Sequence, residues 1–287
     1  MKKRQYRDSI FVDLFSKDIH AKENALSLYN ALHNTNLQAD ETEVQFLSLE
    51  GTVYVGVYND VAFLVNNTVL MLCEHQSTIN ENMPLRFLLY VSHIYEKIID
   101  KDLRFAKTVQ KVPLPEFYVF YTGRDKLPEV STLNFSDALS KNNIKIENPH
   151  IELATTVFNL NNLSKNLRQC KILQEYSTFV KIVNDEFKKG DEDCFTRAIN
   201  YCIKNDILAD YLKRNTTEVH NMLFGEYDRE TDIRVQRAEE REIALAEGSH
   251  NRNIEIAKQM LQNNMSKSDI HMYTSLSLEE IEALQKS

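Results

Sequence analysis

The chain has 287 residues, of which 43% are hydrophobic and 26% charged, and a formal net charge of −8. This is the composition of a water-soluble globular protein with room for one good core and a second subdomain. The acidic balance argues against a surface that binds nucleic acid broadly, so any such contact is confined to one salt-sensitive patch.

No apolar run approaches the ~18 residues that a membrane-spanning helix needs. The basic opening, residues 1–7, lacks a following apolar region and does not read as a secretory signal. Cys73, Cys170, Cys194 and Cys202 form no C-x-x-C pair. They read as reduced, mostly buried thiols of a cytoplasmic protein, not as a disulfide framework or a zinc site.

In chain order, residues 6–15 read as a short helix or turn with Ile10, Phe11, Leu14 and Phe15 as its apolar stripe. A helix over 22–32 follows from the spacing of Ala25, Leu26, Leu28, Tyr29 and Leu32, and Asn34 and Asn36 end it. Glu23 opens this helix, where the dipole favours a solvated acid. Residues 43–49 form a strand edge or approach. Residues 52–58 alternate Val53, Val55 and Val57 against polar and aromatic neighbours and predict a strand, with a bend or bulge at Gly56 as the other reading.

The next stretch carries the chemistry. Two apolar runs, 61–65 and 69–73, flank Asn66-Asn67-Thr68. Asn tolerates positive φ, so the pattern signals a hairpin. Asp60 stands at its start, and Glu74 at its end with Gln76 two residues on. A two-residue loop sets Asp60 opposite Cys73 and turns Glu74 to the other face. A three-residue loop sets Asp60 opposite Glu74, with Cβ atoms about 5 Å apart, keeps Gln76 on their face and turns His75 away. Two carboxylates about 4 Å apart repel by about 4 kcal/mol at an effective dielectric near 20. A hard divalent cation such as Mg²⁺ or Mn²⁺ between them removes that cost.

Pro84 suits a helix start, and a helix over 85–99 directs Leu85, Leu88, Leu89, Val91, Ile94, Tyr95 and Ile98 inward. Arg86, Tyr90 and His93 share one face. Arg86 lies on the first turn, where backbone N–H groups favour a phosphate; a surface arginine paired with Glu81 or Glu96 is the equal alternative. Residues 101–112 carry Lys101, Arg104, Lys107 and Lys111 and read as a solvated stretch ahead of a nucleic-acid contact. Residues 116–122 are nearly continuous apolar, as in a strand buried on both faces in parallel pairing. A short helical turn at 135–139 and a strand at 151–160 follow.

From Leu163 the period becomes helical. Helices are predicted at 164–184, 194–205 and 207–214, then at 218–241 with Gly248 ending it, and at 253–263. Ser266 and Ser277 read as N-caps, and Ser277 with Glu280 forms a capping box for the last of two short helices, 267–273 and 278–285. This pair is largely acidic, so it reads as a helical hairpin that docks or makes a homo-oligomer rather than a DNA-reading module. No serine-hydrolase elbow, P-loop or dinucleotide fingerprint is present.

The order Asp60, Glu74-His75-Gln76-Ser77, Met83-Pro84-Leu85-Arg86 and Tyr90 resembles the recombination-promoting nuclease/putative transposase family, within the PD-(D/E)XK phosphodiesterase superfamily. Asp8-Ser-Ile-Phe-Val-Asp-Leu-Phe15 and Phe117-Tyr-Val-Phe-Tyr-Thr-Gly123 add to the likeness, which covers the first 160 residues well and the rest more loosely. The resemblance implies an α/β, restriction-endonuclease-like mixed sheet flanked by helices over 1–160, with a helical C-terminal region over 161–287. It implies a metal-dependent DNA endonuclease tied to recombination or mobile elements. Asp60, Glu74 and the His75 backbone carbonyl would hold Mg²⁺ or Mn²⁺, Gln76 would orient the water, and Arg86 and Tyr90 would meet the DNA phosphate. Glu23, on the first core helix, would be a further metal ligand, against its reading as a solvated acid. Gln76 stands where the superfamily usually has lysine, so slower chemistry is expected. The other reading is a nuclease-fold module that binds nucleic acid or protein without useful activity.

Overall fold

The computed structural model describes residues 9–47, 60–139, 150–191, 193–263 and 265–286. A first turn of helix, α1 (Ile10–Val12), capped by Ser9, runs into a π-turn over Asp13–Lys17. Helix α2 (Ala21–His33) follows and stops at Asn34, which takes the left-handed conformation that asparagine tolerates. Then come strands β1 (Val44–Leu47), β2 (Asp60–Val65) and β3 (Val69–Gln76), helix α3 (Met83–Ile98), and strands β4 (Leu114–Tyr121), β5 (Val130–Asn134) and β6 (Ala154–Asn159). The strand expected over 52–58 lies outside the described residues.

The described strands make one six-stranded mixed sheet in the order β1-β2-β3-β4-β6-β5. β1, β2 and β3 are antiparallel neighbours, β3–β4 and β4–β6 are parallel, and β5–β6 is antiparallel. β4 sits between two parallel partners, which explains its nearly unbroken apolar run. β5 was not foreseen: Val-Ser-Thr-Leu-Asn alternates weakly, and its exposure pattern is that of a half-covered edge strand.

The sheet is covered on both faces. On one, α3 lays Phe87, Tyr90, Val91 and Ile94 over Ala62, Leu64, Leu70, Leu72, Phe117 and Val119, with the Phe87 ring 5.3 Å from Phe117. Of the residues expected inward, Val91 and Ile94 are buried and Leu88, Tyr95 and Ile98 pack partly buried against this core, whereas two depart from it. Leu85 and Leu89 are 36% and 38% exposed, because the stripe Met83, Phe87, Tyr90, Val91 and Ile94 carries the larger ring surface and takes the core. On the other face, Phe11 meets Phe15, Phe120, His75 and Tyr176. Tyr176 belongs to α4 (Lys171–Phe187), which is followed by α5 (Cys194–Lys204), α6 (Ala209–Arg214) and α7 (Thr216–Gln262). Gly248 does not end α7, which runs through it; a helix-interior glycine costs about 1 kcal/mol, too little to break this one.

Compactness divides the chain into Met1–Gly225 and Glu226–Ser287, whereas strand gives way to helix near residue 160. The second unit holds α8 (Lys267–Thr274) and α9 (Leu278–Lys286), with Ala257, Ile270, Leu276 and Ile281 as its buried core. Both predicted caps form: Asp269 N–H donates to Ser266 Oγ (3.2 Å), and Ser277 and Glu280 donate reciprocally (2.8 and 3.2 Å). All four cysteines are free and buried. Among the described residues, no helix is long and apolar enough to cross a membrane.

Candidate metal centre

The hairpin resolves to the three-residue loop. Asn66 and Asn67 adopt φ of 49° and 51°, the Thr68 N–H donates to the Val65 carbonyl at 3.0 Å, and Val65 pairs Val69. Counting back along the register sets Asp60 opposite Glu74. Alternation places both, with Gln76, on the face that α3 covers. The carboxylates are almost wholly buried, with 2% of the Asp60 side chain and 5% of the Glu74 side chain exposed.

Their pairing is incomplete. Among the described residues, Asp60 Oδ1, Asp60 Oδ2 and Glu74 Oε2 accept no hydrogen bond. Burial, and then the facing Glu74 charge, push the Asp60 carboxyl well above the usual carboxylate range; the nearby Arg86 pulls it down without compensating. Such a pair lacks positive charge.

Part of that charge comes from the first turns of α3, which Asn82 and Pro84 start. Arg86 Nη1 donates to Glu74 Oε1 at 2.8 Å, and its Nη2 lies 3.7 Å from Asp60 Oδ2. Tyr90, one turn on and fully buried, accepts from Arg86 Nε and Nη2 at 3.1 and 2.8 Å. Burial raises its phenol pKa further above neutrality, so it stays protonated. Gln76 Nε2 donates to the same Glu74 Oε1 at 2.8 Å and to Met83 Sδ at 2.8 Å. Glu74 Oε1 is thus saturated while Oε2 is left open. The structure brings together Asp60, Glu74, Gln76, Arg86 and Tyr90.

His75 points the other way, as alternation requires. Its ring stacks on Phe11 at 5.9 Å and meets Tyr176 edge-on at 5.5 Å, and its Nε2 bonds Thr122 Oγ1 at 2.8 Å. Burial lowers its pKa to about 4, so the imidazole is neutral. The expectation for Glu23 as a ligand is corrected. It is exposed on α2, and α2 packs on the His75 face, where His33 at its end bonds Glu116 Oε1 at 3.0 Å. The sheet therefore lies between Glu23 and the carboxylate pair.

Two neighbours escaped the sequence reading. Met83 backs Gln76 with its sulfur. Gly123 follows β4 where the Thr122 N–H donates to the Gln76 carbonyl at 2.9 Å. A Cβ on Gly123 would stand 2.1 Å from the Ser77 carbonyl oxygen, so only glycine fits there. The glycine was visible, but a close approach across strands leaves no signal in one segment.

The donor set fits a hard divalent ion. Three buried carboxylate oxygens are open, and Mg²⁺ is commonly held by one or two carboxylates while keeping several waters. Among the described residues no cluster of three or more His, Cys, Asp or Glu could hold a metal. Asp60 and Glu74 would therefore be the side-chain ligands, with backbone carbonyl, water or substrate completing the shell.

No curated protein and no solved structure matches the chain. Residues 57–211, more than half of the chain, match the family described as "Putative transposase, YhgA-like". The matched span takes in Asp60, Glu74, Gln76, Arg86 and Tyr90. The chain belongs to this YhgA-like family, whose fold is consistent with the PD-(D/E)XK type.

Proposed function

We propose that the protein is a Mg²⁺- or Mn²⁺-dependent DNA endonuclease acting in the movement or recombination of mobile elements. The observation that carries this reading is the buried Asp60–Glu74 pair with three oxygens open. A divalent ion held there would lower the pKa of a bound water and stabilise charge on the scissile phosphate. Asp60, Glu74 and the His75 backbone carbonyl would supply its protein ligands. The Gln76 amide N–H₂ is taken up by Glu74, so its carbonyl oxygen is the group that would hold the attacking water. Arg86, 26% exposed, would face the DNA phosphate; Tyr90, expected beside it, is fully buried and instead holds the guanidinium through its hydroxyl.

One observation favours a second reading, a nuclease-fold module that binds nucleic acid or protein without cleaving. No lysine stands at position 76, and both Gln76 and Arg86 donate to Glu74 rather than outward. Plasmid nicking in Mg²⁺ or Mn²⁺ decides between them. The expected result is nicking by the wild type that is lost in Asp60→Ala. DNA binding without nicking in either metal selects the second reading.

A further inference from the structure

We infer that Arg86 is the resident cation of the carboxylate pair, which a divalent ion must displace; the inference rests on the metal-site reading above. The sequence offers Arg86 as a phosphate contact or as a surface arginine, and neither describes its position. Its Nη1 lies 2.8 Å from Glu74 Oε1 and its Nη2 3.7 Å from Asp60 Oδ2, so one guanidinium reaches both buried acids. Its other contacts hold it there: Nε and Nη2 both donate to Tyr90 OH, Nη1 also reaches Met83 Sδ at 3.5 Å, and Tyr90, fully buried, holds its own position. Only about a quarter of the Arg86 side chain meets solvent.

A planar fork gripped at one edge by a phenol oxygen and at the other by a carboxylate is ordered before any ligand arrives. Its charge serves the same two groups that a metal would serve. The grip is uneven, however. Glu74 Oε1 is bound tightly, Asp60 only at ion-pair distance, and three oxygens stay open. A divalent ion carries twice the charge and can bind those three oxygens directly. Once it is bound, two cations compete for one pair of carboxylates, and the guanidinium gives way. It then stands at the N-terminal turn of α3, free to face a phosphate. Arg86 thus acts as a positioning residue before metal binding and as an obstacle to it.

A purely structural arginine and a pure phosphate clamp predict otherwise. Losing the first weakens metal binding by disordering the acids, and losing the second leaves it unchanged. The test is Mn²⁺ titration by calorimetry, without DNA, of the wild type, Arg86→Met and Arg86→Lys. The expected result is tightening by ten-fold or more in Arg86→Met, with Arg86→Lys near the wild type. Equal or weaker binding by a folded Arg86→Met overturns the inference while leaving the metal site standing. Absence of Mn²⁺ binding in all three overturns the metal reading and this inference together. Should Arg86→Met unfold in metal-free buffer, recovery of its folded spectrum on adding Mn²⁺ supports the displacement, and no recovery overturns it. A second readout follows the Arg86 Nε–H resonance of the wild type during Mg²⁺ titration. Release from Tyr90 should shift it and speed its exchange with water, and an unmoved resonance at saturating Mg²⁺ overturns the inference.

Discussion

His75 and Gln76 are adjacent and face opposite sides of the sheet, and each makes a separate prediction. Burial brings the His75 pKa from 6.5 to about 4. Between those pH values the unfolded chain binds a proton that the folded chain refuses, so stability is full above pH 6.5 and falls as the pH drops toward 4. At about 1.4 kcal/mol per pH unit, the loss across that window is about 3 kcal/mol. Urea midpoints of the wild type at pH 7 and 4.5 should differ accordingly, and His75→Gln should flatten the difference. An equal acid loss in the variant would place the effect on other groups. On the other face, Gln76→Ala should slow cleavage about 10²- to 10⁴-fold, the usual worth of a positioned water or proton-transfer group, with Mn²⁺ affinity little changed because both carboxylates remain. Cleavage at the wild-type rate would refute the role given to Gln76.

At the scale of elements, the helical segments are bound to the sheet unit by polar ties that no local pattern announces. Arg214 at the end of α6 donates to both Asp18 oxygens at 2.7 and 3.2 Å, and Tyr211 donates to Asp13 Oδ2 at 2.7 Å. Burial pushes the Asp18 carboxyl up, but the Arg214 bonds and the His20 N–H hold it below its ordinary 3.8. Its contribution is therefore present above pH 3.8 and lost on further acidification. Arg214 is one-third exposed, so screening reduces the tie and Arg214→Met should cost about 1 kcal/mol at pH 7; an unchanged thermal midpoint would remove its structural role. These partners lie almost 200 residues apart, beyond any periodicity argument. What the sequence could show was local: asparagines at a loop and alternation on either side are enough for the hairpin and narrow Asp60 to facing Cys73 or Glu74, the loop length deciding between them, and a capping box is enough for α9. On α3 the period is enough to bring Leu88, Val91, Ile94, Tyr95 and Ile98 to the core, but not to choose Phe87 and Tyr90 over Leu85 and Leu89, because ring area against Phe117 decides that only once the sheet exists. Glu23 as a metal ligand, implied by the family likeness, fails because which face of the sheet a helix covers is a tertiary choice, whereas its reading as a solvated acid matches its exposure on α2.

At the scale of the whole molecule, the change from strand to helix near residue 160 and the division at Gly225 answer different questions. The first marks where the sheet ends; the second marks where compact packing ends. Between them, α4 closes the face of the sheet opposite the carboxylates. Tyr176 lies 5.6 Å from Phe11 and 5.5 Å from His75, Ser177 donates to the Leu160 carbonyl at 2.7 Å, and Leu173 and Phe179 are fully buried. A chain cut after residue 161 exposes Phe11, Phe120 and His75 together, and at about 1.5–3 kcal/mol for each large side chain uncovered the loss is comparable with the 5–15 kcal/mol by which a domain is usually stable. Periodicity alone would leave a 1–161 fragment able to bind metal; packing predicts that it cannot hold β3, and hence Glu74, in place. A 1–225 fragment keeps α4, α5, α6 and the Asp18–Arg214 tie, and should unfold in one cooperative urea transition and bind Mn²⁺ as tightly as the whole chain. The 1–161 fragment should show no cooperative transition and no Mn²⁺ binding. Cooperative unfolding and full Mn²⁺ affinity in the shorter fragment would show that α4 covers the sheet without supporting it, and would return the boundary to the place where the period changes.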